Sequence, residues 1–183
     1  MPTSAGYVAL LRAVNLAGYK KVGMSDLRDL VSALGFDSPR TLLNSGNVVF
    51  TAPKGTSRES AARIETGLKE KLGVTCRVVV LSAEEVADVI AENPLLLKAG
   101  DPSRLLVAVL ADPMDRPKLA TLEKQDWGSD ALGVGRRAAY LWCADGVIAS
   151  ALNAAVNKTL GNGVTSRNWA TMLKLQEMLQ AEE

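Results

Sequence analysis

The stretch Arg40-Thr41-Leu42-Leu43-Asn44-Ser45-Gly46-Asn47-Val48-Val49-Phe50-Thr51 decides the fold. It reads as two strands, 40–44 and 47–51, folded about Ser45-Gly46, because glycine adopts the positive φ that a tight hairpin needs. Before the hairpin, Leu27, Leu30, Val31 and Leu34 recur at helical spacing over 24–34, and Gly35 ends that helix. Earlier still, residues 7–14 are almost continuously apolar and predict a buried strand. A polar loop containing Asn15, Gly18, Lys20 and Lys21 joins the two. After the hairpin, Thr56-Ser57-Arg58-Glu59 has the pattern of a capping box and opens a helix that Gly73 stops. Residues 76–81 form another buried strand. The order is βαββαβ, a ferredoxin-like split motif.

The second half echoes the first without visible repetition. Ser82-Ala83-Glu84-Glu85 is a second capping-box pattern, and its helix ends near Asn93-Pro94, since a residue preceding proline avoids the helical region. Residues 104–111 predict a strand, 113–124 a helix, and 131–134 with 138–143 a hairpin about Gly135-Arg136-Arg137. Helices over 147–158 and 168–180 close the chain, giving βαββαα. The expected fold class is mixed α/β: a ferredoxin-like subdomain over 1–82, a connecting helix and linker over 83–102, and a similar subdomain over 103–183. Strands 7–14 and 76–81 are apolar on both faces, so the two subdomains are expected to pack against one another as one compact unit.

Composition narrows the chemistry. A hydrophobic fraction of 48% with 22% charge is that of an ordinary globular chain. The net charge of +1 gives no global attraction to nucleic acid or to an anionic membrane. There is no histidine, which removes Ser-His and Cys-His catalysis, histidine proton shuttles and histidine metal sites. No metal site and no cofactor are expected. Cys76 and Cys143 lie far apart in apolar runs, form no CxxC pair, and are expected to be free and buried, as suits a reducing compartment. The start Met1-Pro2-Thr3-Ser4 lacks a signal-peptide pattern, and the apolar runs are strand-sized, so a soluble cytoplasmic protein without a membrane partner is expected.

One constellation is a candidate site. By alternation, Val8, Leu10, Arg12 and Val14 share a face, and an arginine among aliphatics must find acceptors. Arg12 reads either as structural, satisfied by carbonyls or a carboxylate, or as an anion clamp using its planar fork. In a ferredoxin-like sheet the first strand lies beside the second strand of the hairpin, which brings Arg12, Asn15, Ser45 and Asn47 close together. Lys20 and Lys21 precede a helix N-terminus, which also favours anions. Asn44 to Asn47 reads equally well as pure turn chemistry. Thr165-Ser166-Arg167-Asn168-Trp169 opens the last helix, with Thr165 or Ser166 as N-cap and Trp169, Met172, Leu173 and Leu179 as its core stripe. Arg167 and Asn168 remain as further candidate ligand-binding residues.

Four segments together carry a resemblance: residues 9–15 (Ala-Leu-Leu-Arg-Ala-Val-Asn), residues 21–34, residues 45–50 (Ser-Gly-Asn-Val-Val-Phe), and residues 165–169 followed by Leu173-Lys174-Leu175. In order and spacing the chain resembles the bacterial family called domain of unknown function 1697. The resemblance implies two similar α/β subdomains and no established activity. Ala13 and Ala17 stand where that family usually has glycines, and Ile148-Ala149-Ser150-Ala151 stands where it usually has Gly-Arg-Ser-Lys. The leading functional reading is a binding protein for a small anionic or nucleotide-like ligand. An enzyme working without histidine is the alternative. A nucleic-acid or protein interaction module is a third reading, but with 4% aromatics and no Lys/Arg-Gly-Phe-type strand nucleic acid is not the expected partner.

Overall fold

A computed structural model describes residues 3–16, 20–98 and 100–181. Ala17 and Gly18 of the first loop lie outside the described residues. The chain divides into two compact units, Met1–Val86 with Leu175–Glu183, and Ala87–Lys174, so the division falls inside a helix.

The first unit runs β1 (Ser4–Leu11), α1 (Met24–Ala33), β2 (Asp37–Leu42), β3 (Asn47–Pro53), α2 (Ser57–Leu72) and β4 (Val78–Ser82). Its strands form an antiparallel sheet in the order β2-β3-β1-β4, the ferredoxin-like arrangement. Alternation along β1 turns Tyr7, Ala9 and Leu11 toward α1 and α2, where they join Val48, Phe50, Val78 and Val80 from the neighbouring strands. Leu27, Leu30 and Val31 of α1 and Ile64 and Leu68 of α2 complete this core. Phe50 lies at its centre, 4.7 Å from the ring of Phe36 and 5.9 Å from that of Tyr7. Gly73 ends α2 in the left-handed conformation at φ 68, as its sequence position predicts.

β1 stops three residues before the predicted end. Ala13 and Asn15 have φ of 53 and 57, and a chain that turns left-handed cannot continue a ladder. The alternation that put Val14 on the face of Val8 and Leu10 therefore fails after Arg12. Val14 falls on the helix side with Leu11, and Arg12 is half-buried just beyond the strand. β4 likewise begins at Val78, leaving Cys76 in the preceding loop.

α3 (Ala83–Ala91) is opened by a true capping box. The Ser82 backbone N–H donates to the Glu85 carboxylate at 2.8 Å, and the Glu85 N–H donates to the Ser82 hydroxyl at 3.1 Å. The first capping pattern does not close in this way. The Thr56 hydroxyl donates to the Pro53 carbonyl at 2.8 Å, and no side chain caps α2.

The second unit runs β5 (Leu105–Leu110), a 3-10 segment (Pro113–Leu119) leading into the short α4 (Ala120–Glu123), β6 (Ala131–Val134), β7 (Ala138–Trp142), α5 (Ala151–Leu160), β8 (Val164–Asn168) and α6 (Trp169–Gln180). Pro117 can give no N–H to the Pro113 carbonyl and its ring would crowd that carbonyl in an α-helix, so the longer helix predicted there does not form over this stretch. The sheet order β6-β7-β5-β8 repeats that of the first unit. Both halves are therefore ferredoxin-like, and the fold class expected from the sequence stands with one addition. Residues 164–168 form a strand paired to β5, from Leu110↔Val164 to Leu106↔Asn168, where the reading above has only a helix start. The N-cap moves accordingly: Asn168, not Thr165 or Ser166, accepts the Thr171 N–H at 2.9 Å. In α6 the buried stripe is Trp169, Met172, Leu175 and Leu179, while Leu173 is exposed. Among the described residues, no helix is long and apolar enough to cross a membrane.

Candidate functional site

The end of β1 and the tip of the β2–β3 hairpin meet closely. The Leu11 N–H donates to the Gly46 carbonyl at 2.9 Å. Gly46 has φ 84, and a Cβ there would sit 2.7 Å from Leu11 Cβ and 2.8 Å from Val14 Cγ2, so glycine is required twice over. Asn15 then fastens the following loop to the tip. Its Nδ2 donates to the Asn44 carbonyl at 2.7 Å and to the Val22 carbonyl at 2.9 Å, and its Oδ1 accepts the Val22 N–H at 2.8 Å. Asn47 is fully buried, and its Nδ2 donates to the Leu42 carbonyl and the Ser45 hydroxyl, each at 2.8 Å. Asn15, Ser45 and Asn47 therefore do cluster at one edge. The two asparagine side chains are spent largely on holding the hairpin and loop in shape, which leaves them a positioning role.

What they position is a cleft of about 460 Å³ lined by Asn15, Lys21, Val22, Gly23, Met24 and Asn44. It opens at the N-terminus of α1, where Gly23 is the extended cap residue and no side chain bonds the first helical amides. Lys21 is exposed on its wall, whereas Lys20, also exposed, does not line it. Asp26 lies in the first turn, within reach of the Gly23 position, and contributes a negative charge to the same helix end. Arg12, Ser45 and Asn47 do not line this cleft. Arg12 donates its backbone N–H to the Arg77 carbonyl at 2.9 Å, next to Cys76. Burial pushes the Cys76 thiol up, with the Lys20 cation partly offsetting it.

Arg167 and Asn168 lie in the second unit. Asn168 is the helix cap described above. Arg167 is buried, donates to the Ser166 carbonyl at 2.9 Å, and is lowered to about 10 by burial. Ser150, which stands where the resembled family has its Gly-Arg-Ser-Lys motif, caps α5 through the Asn153 N–H at 3.0 Å and donates to Asp130 at 2.7 Å. The basic turn 135–137 is engaged as well: Arg136 pairs with Glu92, whose carboxyl its backbone N–H holds below the ordinary carboxylate range.

Sequence reasoning missed a larger cleft of about 690 Å³ at the opposite end of the first sheet, beside the starts of β1, α2 and α3. Its one legible signal was that, in a βαββαβ order, both capping patterns open helices at the same sheet end.

The family model described as "Protein of unknown function (DUF1697)" matches residues 5–140. The solved structure of the conserved bacterial protein SP0830 from Streptococcus pneumoniae is similar over 97% of this chain and 99% of that one, with 22% identity and a TM-score of 0.79. At that identity the likeness speaks for the fold alone. No curated protein matches the chain.

Proposed function

Because the chain belongs to the family of unknown function DUF1697, which carries no activity to inherit, we propose a function from the site itself: the first unit binds a small anionic ligand, of phosphate or nucleotide type, in the cleft at the start of α1. The carrying observation is the union of an open cleft, a helix N-terminus without a side-chain cap, and Lys21 on the wall. Unsatisfied helix-start amides point at an anion and the helix dipole favours negative charge. Asn15 and Asn44 supply the rigid floor, which lowers the entropy lost when a ligand docks. Arg12, Ser45 and Asn47 act on this reading from behind, by holding the strand end and hairpin tip. Nothing in the site supplies a nucleophile with an adjacent base, so binding is favoured over catalysis.

The test is titration of the full chain with inorganic phosphate, pyrophosphate and AMP, read by calorimetry. Lys21→Ala is expected to weaken binding by about two- to fivefold, the range for one charge at a helix end, and Asp26→Asn to tighten it by a similar factor. Absence of binding by all three probes at millimolar concentration, or equal binding by both variants, refutes the proposal.

A further inference from the structure

The first sheet is incomplete at one end. β1 pairs with β3 along its whole length, from Leu10↔Asn47 to Ser4↔Pro53. Its pairing with β4 stops at Tyr7↔Ser82, because the chain there turns into α3. Among the described residues, no strand continues beside Ser4, Ala5 and Gly6 on that side. The backbone parity tells which groups are presented. The Leu11 N–H bonds Gly46 on the β3 side, and the Arg12 N–H bonds Arg77 on the β4 side. Counting back by twos, odd residues turn their N–H and C=O toward β3, and Ser4 and Gly6 turn theirs toward the open edge.

That edge lines the 690 Å³ cleft, together with Lys54, Ser57 and Glu84. A volume between roughly 300 and 1,000 Å³ is usual for a ligand site. Its walls are fixed in advance. The Tyr7 hydroxyl accepts the Gly55 N–H at 2.9 Å and donates to the Pro53 carbonyl at 3.1 Å, holding the β3–α2 loop. The Thr56 hydroxyl is turned onto Pro53, so the first amides of α2 have no side-chain cap, and Lys54 is exposed beside them. The Glu85 carboxylate is folded back onto the Ser82 N–H.

We propose that this cleft takes the C-terminal end of an extended peptide from a partner protein, which adds as a strand along Ser4–Gly6 and sets its terminal carboxylate against Lys54 and the start of α2. A row of backbone donors and acceptors at strand spacing is matched by another backbone and by few other chemistries. The lysine and helix-start amides complement the one charge that every peptide carries at its end. This site is independent of the α1 cleft, at the other end of the same strand.

The experiment uses the ¹⁵N-labelled full chain and two probes: a degenerate tetrapeptide pool with free C-termini, and the same pool amidated. The free-acid pool is expected to shift the Ser4, Gly6 and Ser57 amides, and amidation or Lys54→Glu to weaken binding about tenfold, the factor for a lost charge-assisted contact. Ser4→Pro removes one outward N–H while sparing every bond to β3, and is expected to weaken both pools alike. Circular dichroism of both variants confirms that they fold. No shift at millimolar pool, equal binding of the amidated pool, or shifts confined to residues 15–24 overturns the proposal. So does concentration-dependent self-association that shifts the same three amides without peptide, which assigns the edge to a second copy of this chain.

Discussion

Replacing Gly46 by alanine tests whether the hairpin tip truly abuts the end of β1, the contact on which the α1 cleft rests. Gly46 and Gly55 share nearly the same φ, 84 and 82, but have different surroundings. A Cβ at Gly55 meets nothing within 4 Å, whereas one at Gly46 falls 2.7 Å from Leu11 Cβ and 2.8 Å from Val14 Cγ2. Both contacts are branched or backbone-proximal atoms of buried residues, so neither can swing away. Gly55→Ala therefore reports the left-handed penalty alone, about 1–2 kcal/mol. Gly46→Ala adds overpacking of about 1–3 kcal/mol, for a total near 2–5 kcal/mol. In a chain of this size that corresponds to a Tm lowered by roughly 2–8 °C for Gly55→Ala and 4–20 °C for Gly46→Ala. Urea denaturation followed by circular dichroism measures both, and their difference cancels the shared backbone term. A difference below about 0.5 kcal/mol, within the usual spread for uneventful substitutions, refutes the close approach and with it the placement of Asn44 beside Asn15.

Three further outcomes follow from the same reasoning. Ser82→Ala is expected to cost about 1 kcal/mol through loss of the α3 cap, with Ser82→Thr largely sparing it, measured by urea midpoints. Leu175→Ala is expected to cost about 2–5 kcal/mol and Leu173→Ala less than about 1, since the first is fully buried and the second is 37% exposed. Cys76 and Cys143 are expected to react with an alkylating reagent only through opening of the structure, because burial pushes both thiols above their ordinary value of 9.0. As the unfolded thiols ionise first, their contribution to stability is whole below pH 9 and declines as pH rises past it; a rapid burst of labelling of both thiols at pH 8 contradicts their enclosure.

The order βαββαβ, the stops at Gly35 and Gly73 and the core-facing residues of α1 were legible in the chain, because each depends on neighbours three or four positions away or on a single residue's allowed φ. So was the company of Asn15, Ser45 and Asn47, since the strand order of the motif brings them together. Other features depend on what a segment meets across space. Residues 164–168 read as a helix cap because hydroxyl residues before a helix look alike whether they cap it or pair as a strand, and only the ladder with β5 decides. Thr56 and Ser82 carry the same capping pattern, yet one hydroxyl found a nearer acceptor in Pro53 and the other did not. Val14 left its predicted face because Ala13 turned the chain, a choice made by the hairpin tip and the Val22 loop that Asn15 binds. Both clefts belong to this second kind: a cavity is what packing leaves unfilled, and no local pattern records it.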